Sequence, residues 1–235
     1  MSELKNKISC IFSQNGISIN EKQASQFEIY LLFLLEYNEK VNLTAVTDED
    51  EVILKHFVDS CMGAGLIKKN AFCADIGTGA GFPGVPLAIL REDITVLLVD
   101  ALNKRLVFLN ELKEKLGLKN VTTLHSRSED AGQNVNYRQK FDYVFSRAVA
   151  RMNVLIEYDL PFVKSGGSML AWKGPQVIEE LEEAKNAINI LGGKLEKVHK
   201  QSVQGADHYI AEIKKIKDTP NKYPRQAGLI KKKPL

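Results

Sequence analysis

The pattern of apolar positions divides the chain into two parts that meet between residues 60 and 70. In the first part, apolar residues such as Phe27, Tyr30 and Leu34 recur every three or four positions, which is the spacing of a helix with one buried face. Asp48 precedes a second stretch of this kind and is a typical helix N-cap. We therefore predict that residues 2–60 are largely helical, including a long helix over 21–46.

Beyond residue 70, short apolar runs alternate with amphipathic stretches. The runs predict strands at 71–76, 94–100, 121–124, 141–145, 167–172 and 209–216. The stretches between them predict helices at 85–90, 102–116, 152–163 and 176–191. This alternation is typical of an α/β fold, in which a mostly parallel, Rossmann-like sheet has helices on both faces. The predicted divisions are an N-terminal helical extension (1–65), the main domain (66–218) and a basic C-terminal tail (219–235).

Composition narrows the class of protein. The chain has 235 residues, of which 44% are hydrophobic and 26% charged, as in soluble globular proteins. It starts without a secretion signal, and its longest apolar run, 29–35, is shorter than the ~20 residues that cross a bilayer. We expect a cytoplasmic monomer with no membrane part. Since Cys10, Cys61 and Cys73 show no CxxC spacing, we expect neither a metal site nor a disulfide framework.

Charge is concentrated at the C-terminus, although the net charge is only +3. Residues 214–235 are rich in lysine and arginine and contain one acidic residue, Asp218. A basic tail of this kind often contacts phosphate. From composition alone, a solvated terminus that serves only solubility is an equally good interpretation.

A glycine-rich loop over 75–84 follows the first predicted strand and leads into a helix. Glycines are needed where the backbone bends sharply and approaches a ligand closely. Asp100 ends the next strand, where a carboxylate can accept hydrogen bonds from the two hydroxyls of a ribose. The order of strand, glycine turn, helix, strand and terminal acid predicts a site for a nucleoside cofactor.

Two cofactors use loops of this type, NAD and S-adenosylmethionine. Gly79, Gly81 and Gly84 match the glycine spacing of NAD sites. Asp75 argues against NAD, because a carboxylate beside a pyrophosphate would repel it. Class I methyltransferases place an acid there that typically reaches the cationic amino-acid part of S-adenosylmethionine. The loop also lies behind a long helical block, which is uncommon in a minimal dinucleotide fold, so we favour S-adenosylmethionine.

The loop sequence DIGTGAGFPGVPLAI (75–89) resembles the signature loop of the RsmG (GidB) family of bacterial small-subunit ribosomal RNA methyltransferases. Other similar motifs follow the same order along nearly the whole chain. They are residues 37–45, 56–60, Lys104–Arg105, 126–129, 146–150, Lys173–Gly174 and 222–225. Tyr37 departs from the family pattern, which often has Trp there.

The resemblance implies a class I methyltransferase that uses S-adenosylmethionine and releases S-adenosylhomocysteine. It implies that the substrate is 16S ribosomal RNA in the 30S subunit or its precursor, and that the acceptor is N7 of one guanine in the 530 loop. Ser128 and Glu129 would surround the adenine, and Arg147 would lie near the methyl group. The predicted cofactor-binding residues are Asp75, Gly77, Gly79, Phe82, Asp100, Ser128, Glu129 and Arg147.

The chemistry of the end of the fourth strand fits this acceptor. Residues 146–148 read Ser-Arg-Ala and lack the Pro-Pro pair typical of methylation at exocyclic amines. The cysteines all precede the later strands, which disfavours methylation at pyrimidine C5, and no Asp completes a ribose-methylating set around Lys173. N7 of guanine already carries a lone pair and needs no base. A small-molecule methyltransferase, another RNA methyltransferase and a non-catalytic binding protein stay open as alternatives.

Arg147 is the predicted catalytic residue, since it could hold RNA phosphate or the guanine O6. The alternative is that it pairs with Asp142 or Glu129 to brace its loop. The predicted RNA-binding residues are Arg147, Lys173, Lys222, Tyr223 and Arg225.

Other polar residues are given structural interpretations. We expect His56 to be structural, while a role with the substrate stays open. His125, His199 and His208 show no partner at a suitable spacing. Asn38 and Asn42 are expected to brace a helix end, and Lys104–Arg105 to lie on a solvated helix face near the cofactor crevice.

Overall fold

A seven-stranded sheet forms the centre of the protein, in a computed structural model that describes residues 2–203 and 205–235. The strands are β1 (Phe72–Ile76), β2 (Thr95–Asp100), β3 (Val121–His125), β4 (Phe141–Arg147), β5 (Val163–Lys173), β6 (Gly193–Val203) and β7 (Ala206–Lys215). They lie in the order β3-β2-β1-β4-β5-β7-β6. The pairs among β1 to β5 are parallel, and β7 is antiparallel to both β5 and β6.

This topology confirms the predicted α/β class and the mostly parallel sheet. All six predicted strands are present with bounds shifted by a few residues. The antiparallel β7 lies between β5 and β6, which differs from the order 3-2-1-4-5-6 of dinucleotide-binding sheets. Sequence patterns missed β6, because this edge strand is polar and largely exposed and so lacks an apolar run.

Helices cover both faces of the sheet, as predicted. The N-terminal ones are α1 (Glu3–Gln14), α2 (Glu21–Asn38), α3 (Glu49–Val52), a π-helical turn (Ile53–Val58), α4 (Asp59–Cys61) and a 3-10 turn (Ala64–Leu66). The later ones are α5 (Gly84–Leu90), α6 (Asn103–Leu116), α7 (Ser128–Gln133), α8 (Met152–Asp159), α9 (Val177–Ile190) and α10 (Ala227–Lys232). In the described part of the chain, no helix is both long enough and apolar enough to span a bilayer.

The ends of the N-terminal helices follow from local side-chain hydrogen bonds. Asp48 accepts from the backbone amide of Glu51 at 3.0 Å, which confirms the predicted cap. The helix predicted over 21–46 was too long, because α2 ends at Asn38. The Asn38 carboxamide oxygen accepts from the amides of Leu43 (2.7 Å) and Thr44 (2.9 Å) and turns the chain, which confirms its bracing role.

The N-terminal extension shares its core with the main domain. The Tyr30 ring of α2 lies 4.9 Å from that of Phe57 and 5.4 Å from that of Phe82 in the glycine loop, measured between ring centroids. Its hydroxyl donates to the carbonyl of Ala80 at 2.5 Å. Each buried aromatic contributes about 1.5–3 kcal/mol through burial, so the extension fixes the loop that it covers.

The C-terminal segment also packs onto the main domain. Arg138 donates to the carbonyls of Thr219 and Tyr223, both at 2.7 Å, and Gln133 donates to that of Pro224 at 2.9 Å. The side chain of Tyr223 lies in the core beneath α8 and α9. The tail is therefore held in place from residue 219 onward, which corrects the interpretation of it as a solvated terminus.

Candidate active site

A cavity of about 590 Å³ lies at the carboxyl ends of β1, β2 and β4, where open α/β sheets bind their ligands. Much of its wall comes from four segments: the glycine loop, the end of β2, the turn before α7 and the turn after β4. Of the predicted cofactor-binding residues, seven line the cavity, namely Gly77, Gly79, Phe82, Asp100, Ser128, Glu129 and Arg147.

The glycine loop needs glycine at two positions for different reasons. Gly77 and Gly79 have φ values of +69° and +62°, in the left-handed region that disfavours other residues. A Cβ at Gly77 would lie 2.9 Å from Cγ2 of Val149, so glycine lets the turn after β4 approach. A Cβ at Gly79 would meet only a carbonyl oxygen, at 4.0 Å, and would point into the cavity. The loop thus presents bare backbone to a ligand.

Asp75 lies beneath the glycine loop and accepts hydrogen bonds from it. Its Oδ2 accepts from Oγ1 of Thr78 (2.7 Å) and from the amide of Gly84 (2.8 Å), whereas its Oδ1 is buried without a partner. Burial raises the pKa of the carboxyl to about 7, against the hydrogen bonds from Thr78 and Gly84, which lower it. Asp75 is absent from the cavity wall, unlike the other predicted cofactor-binding residues.

Asp100 lies at the wall between the glycine loop and α6. Its Oδ2 accepts from the amide of Gly79 at 3.0 Å and from Nη1 of Arg105 at 3.1 Å, and its Oδ1 accepts from the amide of Leu102 at 2.9 Å. Arg105 lines the cavity too, which agrees with its expected place near the cofactor crevice, although its side chain is only 32% exposed. Its Nε is buried without a partner and so is a further donor at this wall.

The geometry distinguishes between the two candidate cofactors. In a dinucleotide site, the helix that follows the glycine loop presents its first amides to the pyrophosphate. Here the amide of Gly84, the first residue of α5, already donates to the carboxylate of Asp75. The first amides of α5 are therefore not free for a pyrophosphate, since Gly84 is bonded to Asp75 and Val85 donates to the carbonyl of Gly81. Three features fit S-adenosylmethionine. The carboxylate of Asp100 could accept hydrogen bonds from ribose hydroxyls, the backbone at Gly79 is open to the cavity, and the cavity has a suitable size.

Arg147 lies at the end of β4 and is held from the N-terminal extension. Its Nη1 donates to Oδ2 of Asp59 (2.9 Å) and to the carbonyl of Lys55 (2.7 Å), and its Nη2 donates to Nδ1 of His56 (3.2 Å). Its guanidinium lies 5.0 Å from the ring centroid of Phe82. The expected alternative partners of Arg147 were wrong: Asp142 pairs with Lys164, and Glu129 with Arg127 and Ser128.

His56 stacks on Phe82 with 4.6 Å between ring centroids, at the edge of the cavity. Burial and the nearby Arg147 lower its pKa to about 4, so the ring is neutral at neutral pH. Because Nδ1 accepts from Arg147, the proton is on Nε2, which donates to Oγ1 of Thr44 at 2.8 Å. His56 is thus tied into the fold, as its structural interpretation predicts, and it also faces the cofactor cavity.

His208 is a second partner of Asp59. Its Nδ1 lies 2.8 Å from Oδ1 of Asp59, so each oxygen of that carboxylate has its own partner. No spacing in the sequence indicated a partner for His208 or His199, and His199 pairs with Glu212 at 2.9 Å. Asp59 and His208 were not identified from the sequence, because contacts between residues so far apart leave no local pattern.

A second cavity of about 770 Å³ lies on the other side of the turn after β4. The turn 147–150 lines both cavities and is their common wall. Ala148 in this turn has a φ of +56°, an unfavourable value for a residue other than glycine, and such strain is concentrated at functional sites. Lys173 lines the second cavity, where its Nζ donates to the carbonyl of Ala150 and to Oε2 of Glu180, both at 2.7 Å.

The predicted RNA-binding residues of the tail separate into two kinds. Tyr223 is only 7% exposed, so its ring cannot stack on RNA, which corrects that expectation. Arg225 pairs with the fully buried Glu157, with 2.6 Å between Nη2 and Oε2, and is engaged within the fold. Lys222 is exposed and stays a candidate. Lys231 of α10 lines the cofactor cavity, which no sequence pattern indicated.

Comparison with known proteins gives a consistent result. A family model described as GidB, rRNA small subunit methyltransferase G, matches residues 23–210. The chain is 49% identical over 224 residues to ribosomal RNA small subunit methyltransferase G of Clostridium perfringens, covering 94% of each chain. It is 51% identical over 226 residues to the protein of the same name from Lactobacillus johnsonii, covering 94% of this chain and 95% of that one.

Solved structures of low sequence identity share the fold. M. jannaschii TYW2, crystallised in complex with AdoMet, matches with a TM-score of 0.52 and 19% identity over 67% of this chain and 75% of that chain. NSun6 from Pyrococcus horikoshii, crystallised with SFG, matches with a TM-score of 0.55 and 17% identity over 68% of this chain and 52% of that chain. These likenesses concern the fold alone.

Proposed function

Because the chain belongs to the family of rRNA small subunit methyltransferase G, we propose that it methylates N7 of a single guanine in the 530 loop of 16S ribosomal RNA, within the 30S subunit or its precursor. It is an S-adenosylmethionine-dependent methyltransferase, and the reaction leaves S-adenosylhomocysteine. Family membership supports the reaction class, and the choice of N7 depends on the chemistry of the second cavity.

The observation that supports N7 is that no carboxylate among the described residues of the second cavity is free to act as a base. Asp59 is paired with Arg147 and His208. Glu180 is paired with Lys173 at 2.7 Å, and Asp207 with Lys200 at 2.8 Å. Methyl transfer to an amine or a hydroxyl requires removal of a proton, whereas N7 of guanine has no proton to lose.

The cofactor supplies an electrophilic methyl group carried on a sulfonium when it is bound. Asp100 would hold the ribose hydroxyls, and the bare backbone at Gly79 would let the ligand approach. Ser128 and Glu129 would surround the adenine. The chain then contributes mainly orientation, since a well-aligned pair of reactants reacts far faster than a free pair.

Arg147 and Lys173 suit the acceptor nucleotide, because they line the second cavity beside the shared turn. The guanidinium of Arg147 could donate to O6 of the guanine and leave N7 free to react. The exposed Lys222 would contribute to the attraction of RNA phosphates. The base would have to leave its stack to enter the cavity.

The proposal is tested with methyl-labelled S-adenosylmethionine and 30S subunits from a strain that lacks this activity. Chain scission after reduction and aniline treatment maps N7-methylguanine. One labelled guanine in the 530 loop is the expected result, whereas label at another atom or nucleotide would reject the proposed acceptor. Binding of S-adenosylhomocysteine without any RNA label would indicate a small-molecule acceptor.

Variants connect the reaction to the site. Arg147→Met is expected to bind S-adenosylhomocysteine but to lose labelling, whereas Asp100→Asn loses both. Arg91→Met is the matched control, since Arg91 pairs with Asp93 (2.7 Å) outside both cavities. Equal activity of the Arg147 and Arg91 variants would remove Arg147 from the proposed site.

A further inference from the structure

The buried carboxylate of Asp59 joins three parts of the protein. It belongs to α4 in the N-terminal extension and is only 6% exposed. Arg147 reaches its Oδ2 from the end of β4 at 2.9 Å, and His208 reaches its Oδ1 from the start of β7 at 2.8 Å. Trp172 of β5 donates its indole N–H to the backbone carbonyl of the same residue at 2.9 Å. The position of Asp59 is therefore fixed from the sheet as well.

His208 is well placed to affect the second cavity, which we call the acceptor cavity because we propose that it receives the acceptor nucleotide. It lines that cavity together with Ala206 and Asp207, which are the first residues of β7. Its bond to Asp59 adds a polar contact between this end of the hairpin and the N-terminal extension, beside the apolar packing of Val203 in the core that the two parts share. The same bond occupies one oxygen of Asp59, so within this carboxylate Arg147 is bonded to the other oxygen, in addition to its bonds with Lys55 and His56.

The charged groups that face His208 come from several elements. Asp59 faces it from α4, Arg147 from β4, and Asp207 from its own strand. Lys173 and Glu180 lie around the same cavity and are paired with each other.

Among these groups, His208 is the one whose charge changes near neutral pH. Its hydrogen bond with Asp59 raises its pKa, against burial and Arg147, which lower it. Burial raises the pKa of Asp59, but the bonds from His208 and Arg147 outweigh it, so this carboxylate stays ionised. The neighbouring His56, with a pKa of about 4, stays neutral. His208 is therefore charged at low pH and loses its proton as pH rises through its raised pKa.

We propose that protonated His208 is a positioning residue for methyl transfer, which anchors the β6–β7 hairpin to Asp59 and so sets Arg147 and closes the acceptor cavity. This inference rests on the proposed function, since it concerns the orientation of the acceptor nucleotide. It predicts that kcat depends on the charge of a side chain that touches neither cofactor nor reacting atoms. A charge-assisted hydrogen bond is roughly twice as strong as a neutral one, so loss of the proton loosens the hairpin.

The test is the pH dependence of kcat between pH 6 and 9 for the wild-type protein, His208→Gln and His208→Arg. We expect the activity of the wild type to fall as the pH rises. At pH 6, the kcat of His208→Gln should be about tenfold lower than that of the wild type, because one charge-assisted bond is weakened. Between pH 6 and 9, the kcat of this variant should no longer vary with pH. His208→Arg, which stays charged, should keep its activity at high pH.

His199→Gln is the matched control. His199 lies in the same hairpin and pairs with a carboxylate, Glu212, at 2.9 Å, but it lines neither cavity. It should leave the profile unchanged. Affinity for S-adenosylhomocysteine should be the same in all these variants, because His208 is not in the wall of the cofactor cavity.

An NMR titration of the histidine rings gives a readout that does not depend on activity. The signal lost in His208→Gln should titrate with a midpoint above about 6.5, the usual value for histidine. A midpoint at or below that value would overturn the inference, and so would a His208→Gln variant with the kcat and pH profile of the wild type. A wild-type protein that labels no RNA at any pH would instead reject the proposed function.

Discussion

Arg225 and Glu157 form an ion pair that fastens the C-terminal segment to α8. Nη2 of Arg225 lies 2.6 Å from Oε2 of Glu157, and its Nε lies 2.9 Å from Oε1. The backbone amide of Arg225 donates to the same Oε1 at 2.8 Å. Since the Glu157 carboxylate is fully buried, Arg225 is the group that compensates its charge.

Removal of one member of such a pair leaves a buried charge without compensation. We expect Arg225→Ala to lower the free energy of unfolding by about 3–5 kcal/mol, measured by urea denaturation at neutral pH. Lys222→Ala, on the exposed part of the same segment, should change it by less than about 0.5 kcal/mol. If Arg225→Ala were as stable as the wild type and bound RNA more weakly, Arg225 would contact RNA as the sequence suggested.

Alanine variants of Gly79 and Gly117 distinguish the effect of a Cβ on ligand binding from its effect on backbone strain. Their φ values are +62° and +64°, but Gly117 ends α6 outside both cavities. Alanine at either position should cost about 1 kcal/mol of stability, because the left-handed region disfavours a Cβ. By isothermal titration calorimetry, only Gly79→Ala should lose affinity for S-adenosylhomocysteine. Equal affinity in the two variants would show that the cofactor does not approach Gly79.

The sequence predicted the parts of the site that are carried by local patterns. The glycine loop and Asp100 could be predicted as a cofactor site because a short apolar strand, a turn and a terminal acid follow one another directly. The polar edge strand β6 could not, since its residues alternate too little in hydropathy to differ from a loop.

The contacts of the predicted residues were harder to foresee than their positions. Arg147 was expected near the methyl group, but its partner Asp59 belongs to a different part of the fold. A basic motif over 222–225 resembles an RNA-binding tail in sequence, although Tyr223 and Arg225 are used inside the protein. The composition of a segment shows its charge but not whether its side chains are buried. Ion pairs between residues far apart in the sequence are therefore visible only in the structure.

Asp75 should give stability an unusual pH dependence. Its folded-state pKa is raised to about 7, above its usual value of 3.8, so the folded protein binds a proton that the unfolded chain releases. The free energy of unfolding should therefore decrease as pH rises from about 4 to about 7. In Asp75→Asn this contribution is absent, and the difference between the two proteins should change by roughly 3 kcal/mol across that window. Parallel curves for the two proteins would show that Asp75 titrates normally.

The helix α10 should help to enclose the end of the cofactor cavity at which we propose that the adenine binds. Ala227 and Lys231 line that cavity beside Ser128, Glu129 and Tyr158. Arg225, fixed by Glu157, holds the chain directly before α10, and its Nη2 also donates to the carbonyl of Lys233 at 3.0 Å. We expect a protein that ends at Gln226 to bind S-adenosylhomocysteine about tenfold more weakly, since one side of the cavity becomes open to solvent.

This truncation keeps the buried contacts of Tyr223 and Arg225 with the main domain but removes the buried side chain of Ile230. The midpoint of its thermal unfolding without ligand should therefore fall by only about 4–8 °C, the effect of losing roughly 2 kcal/mol of burial. That measurement separates loss of enclosure from loss of folding. Lys231→Ala alone tests the contribution of the side chain, and a smaller effect is expected because the helix remains. Full affinity in the truncated protein would mean that α10 lies beside the cofactor without enclosing it, and that its lysines are available for RNA phosphates instead.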